Sequence, residues 1–223
     1  MHVIVTGSGS GLGKAIAQAL IAANHIVIDY DHADGDDVRC PSAFLMGLDR
    51  VDCLINCAGI NDNRWFEEVG QDDFFHLMDV NAFSMVRMTQ AVLPQLKASK
   101  GTVINIVSNA AHIPMTSSLS YNASKAAALM ITKQMAHELT PKYGITVFSV
   151  SPNKLAGTGM SKSIEENVQR VRGWTPEYAR EYQRKALMHG LETPPEAVAD
   201  LITNLLSSGN SLYLSGCDIP FGK

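Results

Sequence analysis

Short runs of β-branched and aliphatic residues alternate along this chain with longer stretches in which apolar positions return every three or four residues. The first pattern is that of buried strands, the second that of helices with one apolar face. The runs predict strands over 2–6, 26–30, 52–56, 102–107 and 145–150, with a last strand at 211–214. The helical spacing predicts helices over 12–23, 72–98, 119–142 and about 195–206, with a brief helical segment after Pro41 and a short extended piece over 36–39. Alternation of this kind builds an α/β fold, a parallel sheet with both faces covered by helices. A chain of 223 residues can bury such a core as one domain, 1–223, and it shows no repeat, low-complexity tract or linker that would divide it.

One stretch stands outside the alternation. Residues 156–190 form a polar, helix-prone insertion between the strand ending at Val150 and the helix starting near Pro195. The pair Glu165-Glu166 and the charged run over 181–185 are either solvated helix faces or the outside of a lid, because insertions after sheet strands also close over active sites. In the second case Trp174, Tyr178 and Tyr182 face the pocket.

Charge narrows the choice of partners. A net charge of −4 with no long basic run gives no footprint for nucleic acid or an acidic membrane surface, which leaves small molecules or protein partners. No apolar stretch approaches the roughly 20 residues that span a bilayer. Met1 leads into the apolar run Val3-Ile4-Val5 without a charged leader or cleavage site, so a soluble, cytoplasmic protein is expected. Cys40, Cys53, Cys57 and Cys217 form no CxxC pair and no His/Cys ligand spacing, so no metal site is expected. Cys53 and Cys57 lie in an apolar, strand-like segment as reduced buried thiols.

Candidate chemistry starts where the first strand meets the first helix, at Thr6-Gly7-Ser8-Gly9-Ser10-Gly11-Leu12-Gly13. Glycines there let the backbone turn sharply and approach a pyrophosphate, whose charge suits the open N–H groups of a helix N-terminus. Gly7, Ser10, Gly11, Leu12 and Gly13 are the candidate cradle. An acidic residue about 20 positions further on binds ribose hydroxyls in such units, and Asp31 at the end of the second strand is better placed for this than Asp29. A carboxylate there repels the 2′-phosphate of NADP, and the turn holds no Arg or Lys to offset it; NAD is favoured over NADP. Further along, Tyr121 and Lys125 stand four residues apart on a predicted helix, so phenol and ammonium share one face and can reach one ligand.

These residues resemble the classical short-chain dehydrogenase/reductase family. The turn at Thr6 to Gly13 matches its TGxxxGxG pattern, Asn56-Cys57-Ala58-Gly59 its NAG motif, and Tyr121 to Lys125 its YxxxK; Asn81 and Ser108 fall where the family places its other two active-site residues. The resemblance spans nearly the whole chain and implies a single-domain, Rossmann-type doubly wound sheet of about seven parallel strands, with the nicotinamide at the carboxyl end of the sheet. It implies that Tyr121 is the general acid or base, its pKa of about 10 lowered by Lys125 and the bound nicotinamide. Lys125 would also hydrogen-bond the nicotinamide ribose, Ser108 would stabilise charge on the substrate oxygen, and Asn81 would hold a water linking Lys125 to solvent.

With the same origin, Asp37 and Val38 resemble the pair that holds adenine at the end of a third strand, Ala58 and Gly59 pass close to the adenosine ribose, and Pro152 and Thr158 cover the nicotinamide. Asn153 stands where the family commonly has glycine, and asparagine tolerates the left-handed conformation a turn needs there. The connection from the second strand to Asp52 lacks a helix that typical members have, leaving one face thinly covered beside the adenine. Asn61, Arg64, Trp65, His112, Ile113 and Met115 are candidate substrate walls, suited to a medium-sized ketone or secondary alcohol such as a steroid, 3-oxoacyl or polyol compound. The family's oligomers imply a tetramer or dimer built on the helices over 72–98 and 119–142, through Phe75, Met85, Met88, Met130, Ile131 and Met135. The alternative to an alcohol dehydrogenase or ketone reductase is a non-catalytic NAD-binding sensor or scaffold on the same fold.

Overall fold

In the computed structural model, which describes residues 1–187 and 189–222, strands and helices follow one another as the apolar pattern predicts. β1 (His2–Thr6) leads through α1 (Gly11–Ala22) to β2 (Ile26–Tyr30), and α2 (Ala43–Met46) precedes β3 (Cys53–Asn56). Then come α3 (Gln71–Met78), α4 (Ser84–Ala91), α5 (Leu93–Ser99), β4 (Thr102–Ile106), α6 (Leu119–Tyr143) and β5 (Thr146–Pro152). α7 (Gly159–Arg172) and α8 (Pro176–Ala186) occupy the insertion read at 156–190, of which residue 188 lies outside the described residues; α9 (Pro195–Ser207) and β6 (Asp218–Phe221) close the chain.

The strands form one parallel sheet of six in the order β2-β1-β3-β4-β5-β6. Alternation along them feeds two cores. Val3, Val5, Ile55, Ile104, Phe148 and Val150 pack with Ile16 and Leu20 of α1 and Val198 and Ile202 of α9. Ile4, Leu54, Val103 and Val147 point the other way, onto Leu45 of α2, Met88 of α4, Leu96 of α5 and Ala136 of α6. This is a Rossmann-like doubly wound fold. The chain goes from β1 outward to β2, then returns to β3 on the other side, so the loops after β1 and β3 flank the crevice where such sheets bind ligands.

The sheet has six strands where the resemblance implies about seven, and the shortened connection after β2 accounts for it. That segment supplies only a 3-10 turn at His32–Asp34 and the four-residue α2, and residues 36–39 turn instead of extending. Buried Tyr30 and Leu45 plug the face there, the Tyr30 hydroxyl accepting from Ser42 N at 3.1 Å.

Two further boundaries differ from the sequence reading. The strand expected at 211–214 is a 3-10 turn, and the sixth strand is Asp218–Phe221, an edge strand that tolerates Pro220 because one side needs no ladder bonds. The helix expected over 72–98 is broken by a π turn at Asp79–Phe83 and again before Pro94. On its surface Phe75 is exposed, as is Met130 on α6, but Met85 and Met88 are buried in the protomer's own core and Ile131 and Met135 are half-buried. Among the described residues no helix is long and apolar enough to cross a membrane.

Candidate active site

A cavity of about 700 Å³ runs along the carboxyl ends of the strands. Its first wall is the turn after β1. Gly7 has φ of 69° and its backbone runs so close to β3's loop that a Cβ would sit 2.9 Å from Ala58 Cα. A Cβ on Gly13 would lie 2.0 Å from the Gly7 carbonyl oxygen, so both positions demand glycine. Thr6 Oγ1 fastens the opposite loop by accepting from Cys57 N and Ala58 N, each at 3.0 Å. The N-cap Ser10 of α1 makes no side-chain cap bond and the first turn carries no acidic residue, so the N–H groups there stay open to an anion. Gly7, Ser10, Gly11, Leu12, Gly13, Ala58 and Gly59 all line the cavity.

The proton-transfer candidates meet at the middle of the cavity. Ser108 follows β4, and Tyr121 and Lys125 stand one turn apart on α6; all three line the wall. Lys125 is buried and donates to the Ile106 carbonyl at 3.1 Å, which leaves two of its three N–H groups for a ligand. Burial pulls its pKa down to about 8. The Tyr121 side chain keeps an edge on the cavity, but its dense surroundings push the phenol's pKa up, with the Ser108 hydroxyl acting in the opposite direction. In the chain by itself, desolvation of the phenol therefore outweighs the lowering expected from Lys125.

Asn81 sits inside the π turn and is fully buried. Its Oδ1 accepts from Ile60 N at 2.8 Å, while Nδ2 donates to Ile60 O at 2.9 Å and Ser124 Oγ at 3.0 Å. A Cβ on Gly59 would lie 3.2 Å from Asn81 Oδ1 and 3.6 Å from Lys125 Nζ, so asparagine and lysine converge beneath that glycine. With both amide protons spent, water can use only a spare Oδ1 lone pair or a carbonyl loosened by the π turn. Asn56 is placed differently from the sequence expectation. It is buried and donates to Asn105 Oδ1 at 2.8 Å, and Asn105 donates to Thr132 Oγ1 at 2.9 Å, so its side chain ties β3 and β4 to α6.

At the far end, Asp31 Oδ2 accepts from Gly9 N at 2.8 Å and Oδ1 from Ala33 N at 2.9 Å, which holds the carboxylate at the wall. Asp37 and Val38 also line the cavity, on a turn and not on a third strand. The Asp37 carboxylate is held by Arg39, with Nη2 at 2.7 Å, and this pairing keeps its pKa below the ordinary range. Arg39 is a wall residue that sequence reading missed; it contacts its partner over only two positions, too local a pattern to mark a site.

At the other end, Pro152 closes β5 and Thr158 caps α7 by accepting from Ser161 N at 3.1 Å. Both line the cavity, and Thr158 stands opposite Gly11. Asn153 has no left-handed φ; its N–H donates to Phe221 O at 2.9 Å, so the segment is held by β6 and needs no glycine. Of the candidate substrate walls, Ile113, Met115 and Tyr182 line the cavity. The others are engaged elsewhere: Asn61 bonds Asn63, Arg64 pairs with Asp62 and Asp73, Trp65 donates to Val171 O, and His112 bonds Asp218 at 2.8 Å. Trp174 packs on Tyr178 and Tyr182 with centroids 5.0 and 4.7 Å away. Sequence reading missed Arg172 and His76 at the wall, since neither belongs to a recognisable motif.

The family profile described as short chain dehydrogenase matches residues 26–169. Bovine L-fucose dehydrogenase is 31% identical over 177 residues, 69% of this chain and 65% of that protein, so the match spans slightly less than two thirds of the relative. Sorbitol-6-phosphate 2-dehydrogenase of Klebsiella pneumoniae is 30% identical over 246 aligned positions, covering 96% of this chain and 91% of that one. Among solved structures, NAD+-bound xylitol dehydrogenase superposes with a TM-score of 0.89 at 21% identity, over 100% of this chain and 98% of that one, which shows a common fold.

Proposed function

This chain belongs to the short-chain dehydrogenase family, and from that premise we propose that it is an NAD(H)-dependent oxidoreductase interconverting a secondary alcohol and a ketone, with Tyr121 as acid and base. The observation that carries the reading is the convergence of Ser108, Tyr121 and Lys125 on one wall of a cavity whose other wall is a glycine turn at a helix N-terminus. Relatives named for L-fucose, sorbitol 6-phosphate and xylitol support a sugar or polyol alcohol as the substrate class.

The residues present fit a dinucleotide: Gly7 and Gly13 admit no Cβ, the first-turn N–H groups of α1 are open, and Lys125 has donors to spare. The cradle residues, with Asp31, Val38, Ala58, Gly59, Pro152 and Thr158, would hold it. When bound, the nicotinamide supplies or accepts the hydride. Ser108 and Tyr121 hydrogen-bond the substrate oxygen, and Tyr121 gives up its proton as negative charge grows there, or takes one in the reverse direction. Lys125 favours the phenolate by its charge, and Asn81 anchors the loop at Ile60 and the helix at Ser124, fixing their separation.

Asp31 at the wall, with Arg39 spent on Asp37, supports NAD over NADP. α7 and α8 serve as a lid over the substrate end, joined to the body through Trp65 and Val171. Phe75, Met130 and the half-buried Ile131 support a homodimer or tetramer built on α3 and α6. Titration with NADH and NADPH followed by a screen of sugar and polyol ketones tests the reading: tighter NADH binding with turnover supports it. NADPH preference would remove the role given to Asp31, and binding without turnover of any compound would remove the enzymatic assignment.

A further inference from the structure

Charge is unevenly distributed along the cavity. The carboxylates at its wall, Asp31, Asp36 and Asp37, all belong to the connection after β2. Away from them, the wall carries Lys125 at the middle and Lys154 and Arg172 beyond it. Lys154 is neutralised by Glu165 and Glu192, each at 2.6 Å. Arg172 has no carboxylate partner among the described residues.

Arg172 is nonetheless held firmly. Its Nε donates to Ser117 Oγ at 3.1 Å, Nη2 donates to the Thr116 carbonyl, and the guanidinium lies over the Trp174 ring at 4.8 Å. Ser117 itself adopts a left-handed φ of 55°, fixed by Arg64 N on its carbonyl at 3.0 Å. The fork is thus oriented by neutral groups that use two of its five N–H donors. Burial lowers its pKa, and Tyr182 acts in the opposite direction. A partly buried guanidinium without a counterion is costly unless its partner arrives with the ligand.

We infer that the substrate carries an anionic group, a carboxylate or a phosphate, and that Arg172 receives it at the cavity wall. This rests on the oxidoreductase reading and adds its substrate class. Tethering α7 to the 116–117 loop is the competing role for the same side chain, and it would act equally on charged and neutral substrates.

The test uses the NADH-loaded full chain and two matched pairs of ketones, 4-oxopentanoate with its methyl ester and fructose 6-phosphate with fructose. The wild type should favour the anionic member of at least one pair by about 10- to 100-fold in kcat/KM. The responding pair identifies carboxylate or phosphate. Arg172→Met should abolish that preference while changing the rate on the neutral member by less than about 3-fold, and Arg172→Lys should retain part of it as a point charge. Where a pair is turned over, equal losses on both members, or no preference in the wild type, would overturn the inference in favour of a tether. Tryptophan emission titrated with the same compounds reads binding without turnover: a shift with an anionic member alone, lost in Arg172→Met, supports the anion site even if no compound is reduced. No such shift and no preference would dismiss it.

Discussion

Behind the middle of the cavity wall, where Lys125 is buried, Asn81 and Ser124 are fully buried and bonded to residues far away in sequence, Asn81 reaching Ile60 and Ser124 across 21 and 43 positions. At the β2 end Asp37 and Arg39 stand on an exposed turn and bond each other over two positions, and Asp31 adds only Gly9 from outside its own turn. On the proposed function, the difference follows from what each end would have to do. Proton transfer needs donors held in place before the charge appears, so its groups are locked into the sheet and α6. Choosing between two dinucleotides by charge needs only a carboxylate within reach of a phosphate, which a short turn can supply.

If this contrast is right, substitutions at the two ends separate chemistry and stability from selectivity. Tyr121→Phe should lower turnover by about 10²- to 10⁴-fold while the NADH dissociation constant from fluorescence titration stays within about twofold. Asn81→Ala removes the partners of Ile60 and Ser124 and should cost about 1–3 kcal/mol in denaturant unfolding, whereas Asp37→Ala should stay within about 0.5 kcal/mol. A large loss from Asp37→Ala would erase the distinction. Asp31→Ala should narrow the NADH-over-NADPH preference by about tenfold, roughly 1.4 kcal/mol, and leave the melting temperature nearly unchanged.

The smallest effect concerns Lys125. Its folded pKa is lowered to about 8 from about 10.5, so between those values the folded chain holds fewer protons than the unfolded one and stability rises with pH through that window. Below about 8 the buried cation carries its full penalty. Lys125→Met should therefore be more stable than wild type near neutral pH by on the order of 1 kcal/mol, less the cost of the unpartnered Ile106 carbonyl. Thermal melts should show that advantage shrinking as pH rises through the window. A constant difference would mean that Lys125 is not desolvated.

The same contrast governs what could be read from the sequence. The turn at Gly7, the i, i+4 pair Tyr121 and Lys125, and five strands are local patterns, and the structure places them where the spacing says. The sixth strand was displaced because Ser211–Leu214 has strand-like residues but closes into a 3-10 turn, while Pro220 disguises the real edge strand. The π turn around Asn81 left no mark in a pattern that continues to look helical. Asn56 matched a motif, yet its side chain answers to Asn105 and Thr132, partners that only the tertiary fold brings near. Arg172 was illegible for the same reason: its surroundings, Thr116 and Ser117 with all the wall's carboxylates on the connection after β2, are brought together only by the tertiary fold.

The proposed reaction moves hydride between a nicotinamide and a carbon of the substrate at this cavity, with Tyr121 handling the proton. Its most direct test is to incubate the protein with NADH deuterated at the transferable position and a panel of sugar and polyol ketones, and to examine the products by mass spectrometry. Deuterium should appear on the carbinol carbon of a product alcohol with the wild type, and be lost with Tyr121→Phe. NADH binding without deuterium in any product would contradict it, and would leave a protein that binds the dinucleotide without doing its chemistry.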